Sequence, residues 1–316
     1  MRTNIQNQIA KMKEQTIGVE IEMAEITRAN ACKVVAKYFG TLDTVNHDGG
    51  AYDTWSCKDR QGRRWCLMRD GSIYASTEAR KAELVTPILK YEDIETLQEI
   101  VRLLRKAGAI SNPQHGCGVH IHIGANGHTA TTLRNLTNIM ASHESLLTES
   151  LKLDHSRISR FCKTVDPAFL QLVNSRKPTS MSALADIWYG SQNAACGRGM
   201  HYNSSRYHML NYHATFTKGT IEFRLFQFDN PTANKKGGLH AGQLKSYIQL
   251  CLALSQMAKE VTKASPKPQQ NENPKYAMRT WLLRLGFIGS EFGTAREILT
   301  RNLRGDAAFR NGRNAG

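Results

Sequence analysis

Apolar and polar residues alternate strictly along three short stretches of the chain: TIGVEIEM at 16–23, CGVHIHIG at 117–124 and TIEFRLFQF at 220–228. Neighbouring side chains of a β-strand point to opposite faces, so a period of two residues is typical of a strand that buries one face. We therefore expect each stretch to be a strand with an apolar face against the core and a polar face turned away from it.

Other segments show the helical period, in which apolar residues recur every three or four positions. Such stripes predict helices over 28–39, 92–107, 130–152 and 244–258. Turn residues predict a hairpin over 52–69 that turns at Asp59–Gly62, and ELVTPIL predicts a short strand at 83–89. Residues 154–200 follow neither period clearly, so no element is predicted there.

The order of these elements predicts the fold class. Strands and helices are interleaved with a hairpin, and they do not follow the regular strand–helix–strand series of a parallel sheet. This order favours an α+β fold with a largely antiparallel sheet and helices packed on one of its faces. Residues 265–275, SPKPQQNENPK, lack periodicity and predict a linker. The chain is thus divided into a main domain (1–264), this linker and a small basic helical tail (276–316).

Composition narrows the class of protein. The 316 residues are 41% hydrophobic, which is enough for one large or two modest domains. The 42 Lys and Arg residues exceed the 27 Asp and Glu residues, and the resulting charge of +15 suits anionic partners without choosing among them. The chain contains no apolar run of the roughly 18 residues that a membrane span requires, and its N-terminus does not resemble a signal peptide. Seven scattered cysteines favour reduced thiols, and we expect a cytoplasmic protein.

The polar faces of the three alternating strands carry side chains that can bind ligands. They come in pairs, one pair on each strand: Glu20 with Glu22, His120 with His122, and Glu222 with Arg224. Any one pair is commonly a solvated edge or a simple ion pair, but coincidence on three strands is much less expected. Carboxylates combined with imidazoles, without closely spaced thiolates, suit Mg²⁺ or Mn²⁺ better than Zn²⁺.

The arginine of the third pair indicates an anionic ligand. A guanidinium beside a divalent cation is favourable when an anion with several oxygens lies between them, and phosphate is the obvious candidate. The chain contains neither G-x-x-x-x-G-K-[ST] nor a G-x-G-x-x-G that follows a strand. A nucleotide would therefore be bound on the sheet, through metal ions and Arg224.

Six short motifs, taken in order, resemble those of the amidoligases, a family within the carboxylate–amine/ammonia ligase superfamily that includes glutamine synthetase and glutamate–cysteine ligase. The motifs are GVEIEM (18–23), WCLMRDGS (65–72), AELVTPIL (82–89), CGVHIHIG (117–124), RYHMLN (206–211) and GTIEFRLF (219–226). The resemblance covers about residues 16–260. It implies a glutamine-synthetase-like fold, in which a curved, largely antiparallel sheet forms a polar funnel for ATP and the helices pack on its other face.

The resemblance implies metal-binding roles for residues of these motifs. The implied ligands are the carboxylates Glu20, Glu22, Glu83 and Glu222 and the imidazoles His120 and His122. One of the two imidazoles would touch metal or phosphate. The implied ions are two or three Mg²⁺, with Mn²⁺ as the alternative.

Nucleotide-binding and catalytic roles are implied in the same way. Arg224 matches the arginine that contacts the transferred phosphate, and His120 is implied near the phosphates. Arg206 and Asn211 fall on the R-Y-x-x-L-N pattern, for which contact with nucleotide or substrate is implied. The implied catalytic residues are Arg224, Glu222 and His122.

The activity implied by the resemblance is formation of an amide bond between a carboxylate and an amine, driven by ATP through an acyl phosphate. The two substrates can belong to small molecules, peptides or proteins. The reaction also needs a general base for the amine, for which Asp70 and Tyr207 are candidates.

Two other classes of function remain open. A mononuclear metalloenzyme, such as a cupin-like oxygenase or a hydrolase, could use His120, His122 and a carboxylate. The glutamate expected shortly after a cupin H-x-H is absent, because residues 125–127 read Ala-Asn-Gly. The net charge leaves open a nucleic-acid-binding protein, but no helix-turn-helix or aromatic stacking motif accompanies it, so nucleic acid is not a favoured partner.

Overall fold

The computed structural model describes residues 2–234, 237–268 and 272–310 of the chain. The strands are β1 (Ile17–Met23), β2 (Asn46–Gly49), β3 (Thr54–Lys58), β4 (Arg64–Met68), β5 (Ala82–Val85), β6 (Val119–Gly124), β7 (Leu210–Asn211) and β8 (Thr220–Phe226). The helices are α1 (Arg2–Lys13), α2 (Arg28–Phe39), α3 (Ile94–Lys106), α4 (Ala130–Leu151), α5 (His155–Arg160), α6 (Pro167–Arg176), α7 (Met181–Ser191), α8 (His213–Lys218), α9 (Ala241–Glu260), α10 (Pro274–Arg284) and α11 (Gly293–Thr300).

The chain divides into two compact units, and the first, here called the sheet unit, comprises Thr16–His122 and Phe226–Lys245. Its strands follow the order β2-β3-β4-β5-β1-β6, and the pairs from β2 to β1 are antiparallel. Helix α2 covers β3 and β4 and packs against α3. The α+β class is thereby confirmed, whereas the glutamine-synthetase-like curvature and funnel stay a prediction.

Strand β1 realises the alternation seen in the sequence. Ile17, Val19 and Ile21 are buried to within 2% of full burial, and Glu20 and Glu22 lie on the opposite face. Burying each of these aliphatic side chains contributes roughly 1.5–3 kcal/mol. Because a shift of one residue in the ladder would place them on the polar face, their burial holds the two glutamates where they are.

The hairpin between β3 and β4 turns where the sequence predicts it. Gly62 adopts a φ of 78°, and its N–H donates to the Asp59 carbonyl. The buried Asp59 carboxylate accepts from the Arg63 side chain at 2.7 Å and from the Trp65 indole at 3.1 Å. Arg63 also binds Asp93, at the start of α3, through two bonds of 2.8 Å. This network fixes the register of β4 against its neighbours.

The second, helical unit comprises the described parts of residues 1–15, 123–225 and 246–316. Helices α4 and α9 are its longest elements, and the short strands β7 and β8 pair antiparallel within it. Gln15, two residues after the end of α1, donates to the Leu252 carbonyl of α9 and accepts from Ser255 of the same helix. These buried polar bonds attach the N-terminal helix to α9.

The segment after residue 264 packs on α4 within the helical unit. Trp281 stacks on His143 with ring centroids 3.9 Å apart, and Ser150 donates to the Leu299 carbonyl at 2.6 Å. The predicted linker and tail include residues 269–271 and 311–316, which lie outside the described residues. The predicted division into a main domain, linker and tail stays a prediction.

A membrane-spanning helix is not found in the part of the chain that the structure describes, because none of its helices is both long and apolar enough.

Glu144 is a buried carboxyl on α4, and the Val165 N–H donates to it at 2.6 Å. Burial raises the pKa of this carboxyl to about 7, although the Val165 N–H opposes the shift. Between the ordinary glutamate pKa and this value the folded state holds the proton more tightly than the unfolded chain. Stability is therefore full at low pH and falls as the pH rises toward 7.

Replacing Glu144 with Gln should remove this dependence, because the amide keeps an acceptor for Val165 but cannot ionise. The free energy of unfolding of Glu144→Gln, relative to the original protein, should rise by roughly 3 kcal/mol between pH 4.5 and pH 8. Urea unfolding at several pH values measures this difference. The control is Glu149→Gln, an exposed position on the same helix. A difference for Glu144→Gln that stays constant with pH contradicts the assignment.

Candidate active site

Neighbouring strands of the sheet unit bring the predicted acidic and histidine side chains together. Glu22 of β1 lies directly opposite Glu83 of β5 in the antiparallel ladder. Strand β6, which carries His120 and His122, lies on the other side of β1, and the Glu22 N–H donates to the Gly118 carbonyl just before it. Three separate motifs of the sequence therefore supply one group of side chains.

Imidazoles lie between the carboxylates of this group. The His120 Nδ1 is 3.1 Å from one carboxylate oxygen of Glu20, and the His122 Nε2 is 3.2 Å from the other. The His120 Nε2 lies 3.8 Å from Glu22. Glu22 and the two histidines are buried, so these charges and dipoles act on one another with little screening by water.

Glu20 is the carboxylate that both imidazoles contact. Burial alone would raise the pKa of its carboxyl, but the neighbouring imidazoles of His122 and His120 outweigh burial and hold that pKa well below its usual range. Glu22 receives a further hydrogen bond from the Gly118 backbone N–H. Glu20 thus has two imidazole neighbours, and Glu22 has a backbone donor.

Two sets of side chains in the sheet unit can each hold a metal ion, since their ligand atoms lie within 4.8 Å of one another. One set is Glu20, Glu83 and His120, and the other is Glu22, Asp70 and Glu83. Five of these six positions offer carboxylate oxygen, counting the shared Glu83 twice. An oxygen-rich set of this kind fits Mg²⁺ or Mn²⁺ and lacks the thiolates of a structural zinc site.

Asp70 is a member of this group that sequence reasoning considered only as a base. It follows β4 within the motif WCLMRDGS, and its carboxylate accepts from the backbone N–H and the hydroxyl of Ser72, both at 2.6 Å. The tight turn at Asp70 brings its carboxylate near Glu22 and Glu83. The motif itself was the signal that could have identified it.

A second group of predicted residues lies in the helical unit. Asn211 of β7 is opposite Glu222 of β8, and its side-chain amide donates to the Glu222 carboxylate at 2.6 Å. The Arg224 guanidinium donates to the other oxygen of the same carboxylate. Glu222 and Arg224 are both buried, and Arg224 lies 5.9 Å from the centre of the Tyr207 ring. The Glu-x-Arg pair is therefore an ion pair within one strand.

A small cavity of about 150 Å³ lies beside this second group. Its lining includes the predicted residues Arg206, Asn211 and Glu222 together with His201, His213 and Lys218. His213 is held on both ring nitrogens, by the Tyr189 hydroxyl at 2.7 Å and the Met200 carbonyl at 3.0 Å. The carbonyl can only accept, so Nε2 carries the proton and Nδ1 accepts from Tyr189. Burial lowers the pKa of His213, which favours this neutral ring.

Arg157 is a buried cation that sequence reasoning did not identify. It lies on α5, is 3% exposed, and its Nη2 is 3.5 Å from the Arg224 carbonyl oxygen. The residue falls in the 154–200 segment, which carries no motif. The structure thus places the predicted site residues in two groups, one in each unit, and their roles in metal and nucleotide binding stay predictions.

The chain is similar to proteins of one family and to a solved enzyme structure. Residues 13–255 match the family model described as "Putative amidoligase enzyme". Among solved structures, the chain is similar to a bifunctional glutathione synthetase from Pasteurella multocida, with 13% sequence identity, a TM-score of 0.47, and coverage of 96% of this chain and 49% of that chain. The chain therefore spans about half the length of that enzyme. No curated protein sequence matches the chain.

Replacing Glu83 should weaken metal binding most clearly, because Glu83 belongs to both three-residue sets. We expect Glu83→Gln to lower the affinity for Mn²⁺ by at least about tenfold, since an amide is a poorer ligand than a carboxylate. Electron paramagnetic resonance of free Mn²⁺ measures the affinity. The matched control is Glu95→Gln, at an exposed position of α3 in the same unit. Unchanged Mn²⁺ affinity in Glu83→Gln contradicts a metal site at these residues.

Proposed function

This chain belongs to the amidoligase family, and on that premise we propose that it is a ligase that joins a carboxylate to an amine with the use of ATP and Mg²⁺. Membership of the family supports a ligase-type activity. The observation that supports the finer proposal best is the group of Glu20, Glu22, Glu83 and His120, of which Glu22 and His120 are buried. Its oxygen-rich ligand sets suit the magnesium ions that accompany ATP.

The proposed metal ligands of the sheet unit are Glu20, Glu22, Glu83, His120 and His122, and we add Asp70, whose carboxylate lies near Glu22 and Glu83. Glu222, which the resemblance also gives as a ligand, accepts from Asn211 and Arg224 in the helical unit, and a metal ion would have to replace one of these donors. Bound Mg²⁺ would neutralise phosphate oxygens and so ease the transfer of the phosphoryl group. The chain's own contribution at Glu20 is to keep that carboxylate ionised. The lowered pKa of Glu20, caused by His122 and His120 against the opposing effect of burial, serves that purpose.

The proposed first step transfers the terminal phosphoryl group of ATP to the substrate. A carboxylate oxygen attacks the γ-phosphorus, the bond to the bridging oxygen breaks, and ADP leaves. Arg224 would hold the moving phosphoryl group, because a guanidinium can donate two parallel hydrogen bonds to it. Glu222 would orient Arg224, whose guanidinium donates a hydrogen bond to the Glu222 carboxylate two residues earlier on β8. His122 would lie near the phosphates as a further catalytic residue.

The proposed second step forms the amide. The amine nitrogen attacks the acyl carbon of the acyl phosphate, inorganic phosphate leaves, and a general base takes the proton of the amine, with Asp70 and Tyr207 as the candidates. Loss of one well-placed group that stabilises such a transfer typically costs on the order of 10²–10³ in rate. One substrate carries the carboxylate and the other carries the amine, and either can be a small molecule or a peptide.

Two conservative replacements test this proposal. Arg224→Lys keeps the positive charge but loses the two-bond contact, and Glu22→Gln keeps the side-chain shape but loses a metal-binding charge. Each should lower ATP-dependent turnover by about 10² or more while the fold is retained. Turnover is measured as ADP release and as hydroxamate formed when hydroxylamine replaces the amine, across a panel of carboxylates.

Matched controls are Arg134→Lys in the helical unit and Glu95→Gln in the sheet unit, and both should keep full turnover. Circular dichroism and urea unfolding establish that the variants are folded. ADP release at near the original rate by either Arg224→Lys or Glu22→Gln contradicts the proposed site.

A further inference from the structure

The cavity of the helical unit is too small for a whole nucleotide. Its volume is about 150 Å³, whereas pockets for drug-sized ligands have volumes of roughly 300–1,000 Å³. A compact group of a few heavy atoms therefore fits it. Arg206 and Asn211, for which the sequence left nucleotide and substrate as alternatives, both line this cavity.

The uncharged polar side chains Asn211 and His213, which line the cavity, already form hydrogen bonds within the protein. The Asn211 side chain donates to Glu222 at 2.6 Å, and its carbonyl oxygen accepts from the His213 backbone N–H at 2.8 Å. The ring of His213 is bonded on both nitrogens. Asn211 and His213 therefore shape the cavity, and Asn211 positions Glu222.

The one carboxylate that lines the cavity is already neutralised. Glu222 accepts from Asn211 on one oxygen and from the Arg224 guanidinium on the other. An ammonium group entering the cavity would have to compete with a buried guanidinium for that charge. The cavity is thus poorly suited to bind the cationic form of an amine.

Arg206 gives the cavity a positive charge that is held in place. Its guanidinium carbon lies 5.5 Å from the centre of the Tyr202 ring and 5.8 Å from that of Tyr207, and its Nη1 donates to the His201 carbonyl at 3.1 Å. Among residues 2–234, 237–268 and 272–310, no carboxylate forms an ion pair with Arg206. One described hydrogen bond uses one of its five N–H groups, so others can serve a ligand. Lys218 adds a second cation to the lining.

We propose that this cavity binds a carboxylate of the substrate that is not consumed in the reaction, such as the free carboxylate of an amino acid or a peptide. The inference rests on the proposed ligase function, and it names the substrate class of that site. A planar carboxylate matches the fork of the Arg206 guanidinium, and Lys218 supplies a point charge beside it. Arg206 then determines substrate specificity, while Arg224 acts on the transferred phosphate.

The test measures binding without ATP or metal, so that it does not depend on ligase activity. The full chain is titrated with acetylglycine, with the uncharged acetylglycinamide and with inorganic phosphate, and saturation-transfer NMR reports binding. We expect acetylglycine to bind saturably and the amide to bind at least about tenfold more weakly, because only the acid can pair with Arg206.

Variants locate the binding. Arg206→Gln should weaken acetylglycine binding at least about tenfold, and Arg206→Lys, which keeps the charge, should weaken it less. The control Arg134→Gln, at a half-buried arginine of α4 in the same unit, should bind like the original protein. A folded Arg206→Lys keeps the comparison valid if Arg206→Gln does not fold.

Three results overturn the inference: equal binding of the acid and the amide, acetylglycine binding that is insensitive to both Arg206 variants, or phosphate binding that depends on Arg206 and is tighter than that of acetylglycine. The last would assign the cavity to a phosphate. Arg206-dependent binding of acetylglycine in a protein without ATP turnover would support the cavity and contradict the ligase. ATP turnover that is lost in Arg224→Lys, in a protein that does not bind acetylglycine, would support the ligase function and contradict the carboxylate site in the cavity.

Discussion

The contact of Glu20 with two imidazoles is the interaction on which the sheet unit's polar face depends. Glu20 and Glu22 lie on the same face of β1, two residues apart, so their carboxylates are about 6–7 Å apart along the strand. At an effective dielectric constant of about 20 they would repel by roughly 2–3 kcal/mol. His120 approaches both carboxylates and His122 approaches Glu20, so the histidines offset a repulsion that burial would otherwise strengthen. Removing His120 would take away the ring that contacts both the Glu20 and the Glu22 carboxylates. The two imidazoles also hold the pKa of the Glu20 carboxyl well below its usual range, against the effect of burial, and a metal site for phosphate chemistry requires such a charged carboxylate.

A buried, ionised acidic group is costly to fold, and its presence in a strand is more easily understood as function than as stability. In the second group the Glu222 carboxylate accepts from the Arg224 guanidinium and from the Asn211 side-chain amide. In both groups a neighbouring side chain supplies the compensating donor. Membership of the amidoligase family supports a ligase-type activity, and we propose that both groups serve it.

Elements defined by local signals could be predicted from the sequence. Helix α2 spans 28–39 as its stripe indicated, because Thr27 caps its start and Gly40, at a φ of 74°, ends it. Helix α1 was not predicted, since its polar sequence gives a weak stripe and its place depends on distant contacts such as that of Gln15 with α9. Helices α5 to α7 fall in the segment without a clear period. Strand β7 has two residues, too few for any pattern.

The side chains on the polar face of each strand could be predicted from the sequence, because a period of two residues assigns each side chain to one face. The pairing of β1 with β5 places Glu83 opposite Glu22. The pattern of apolar and polar residues does not say which strands pair, so only the family resemblance could predict that these two side chains lie together. We propose that these residues hold magnesium and ATP, and a crystal structure with Mg²⁺ and a non-hydrolysable ATP analogue would show whether they do. We expect metal ions bound by Glu20, Glu22 and Glu83 that also touch the phosphates, with Arg224 on the terminal phosphate. Phosphates and metal ions bound away from all four residues would contradict this proposal.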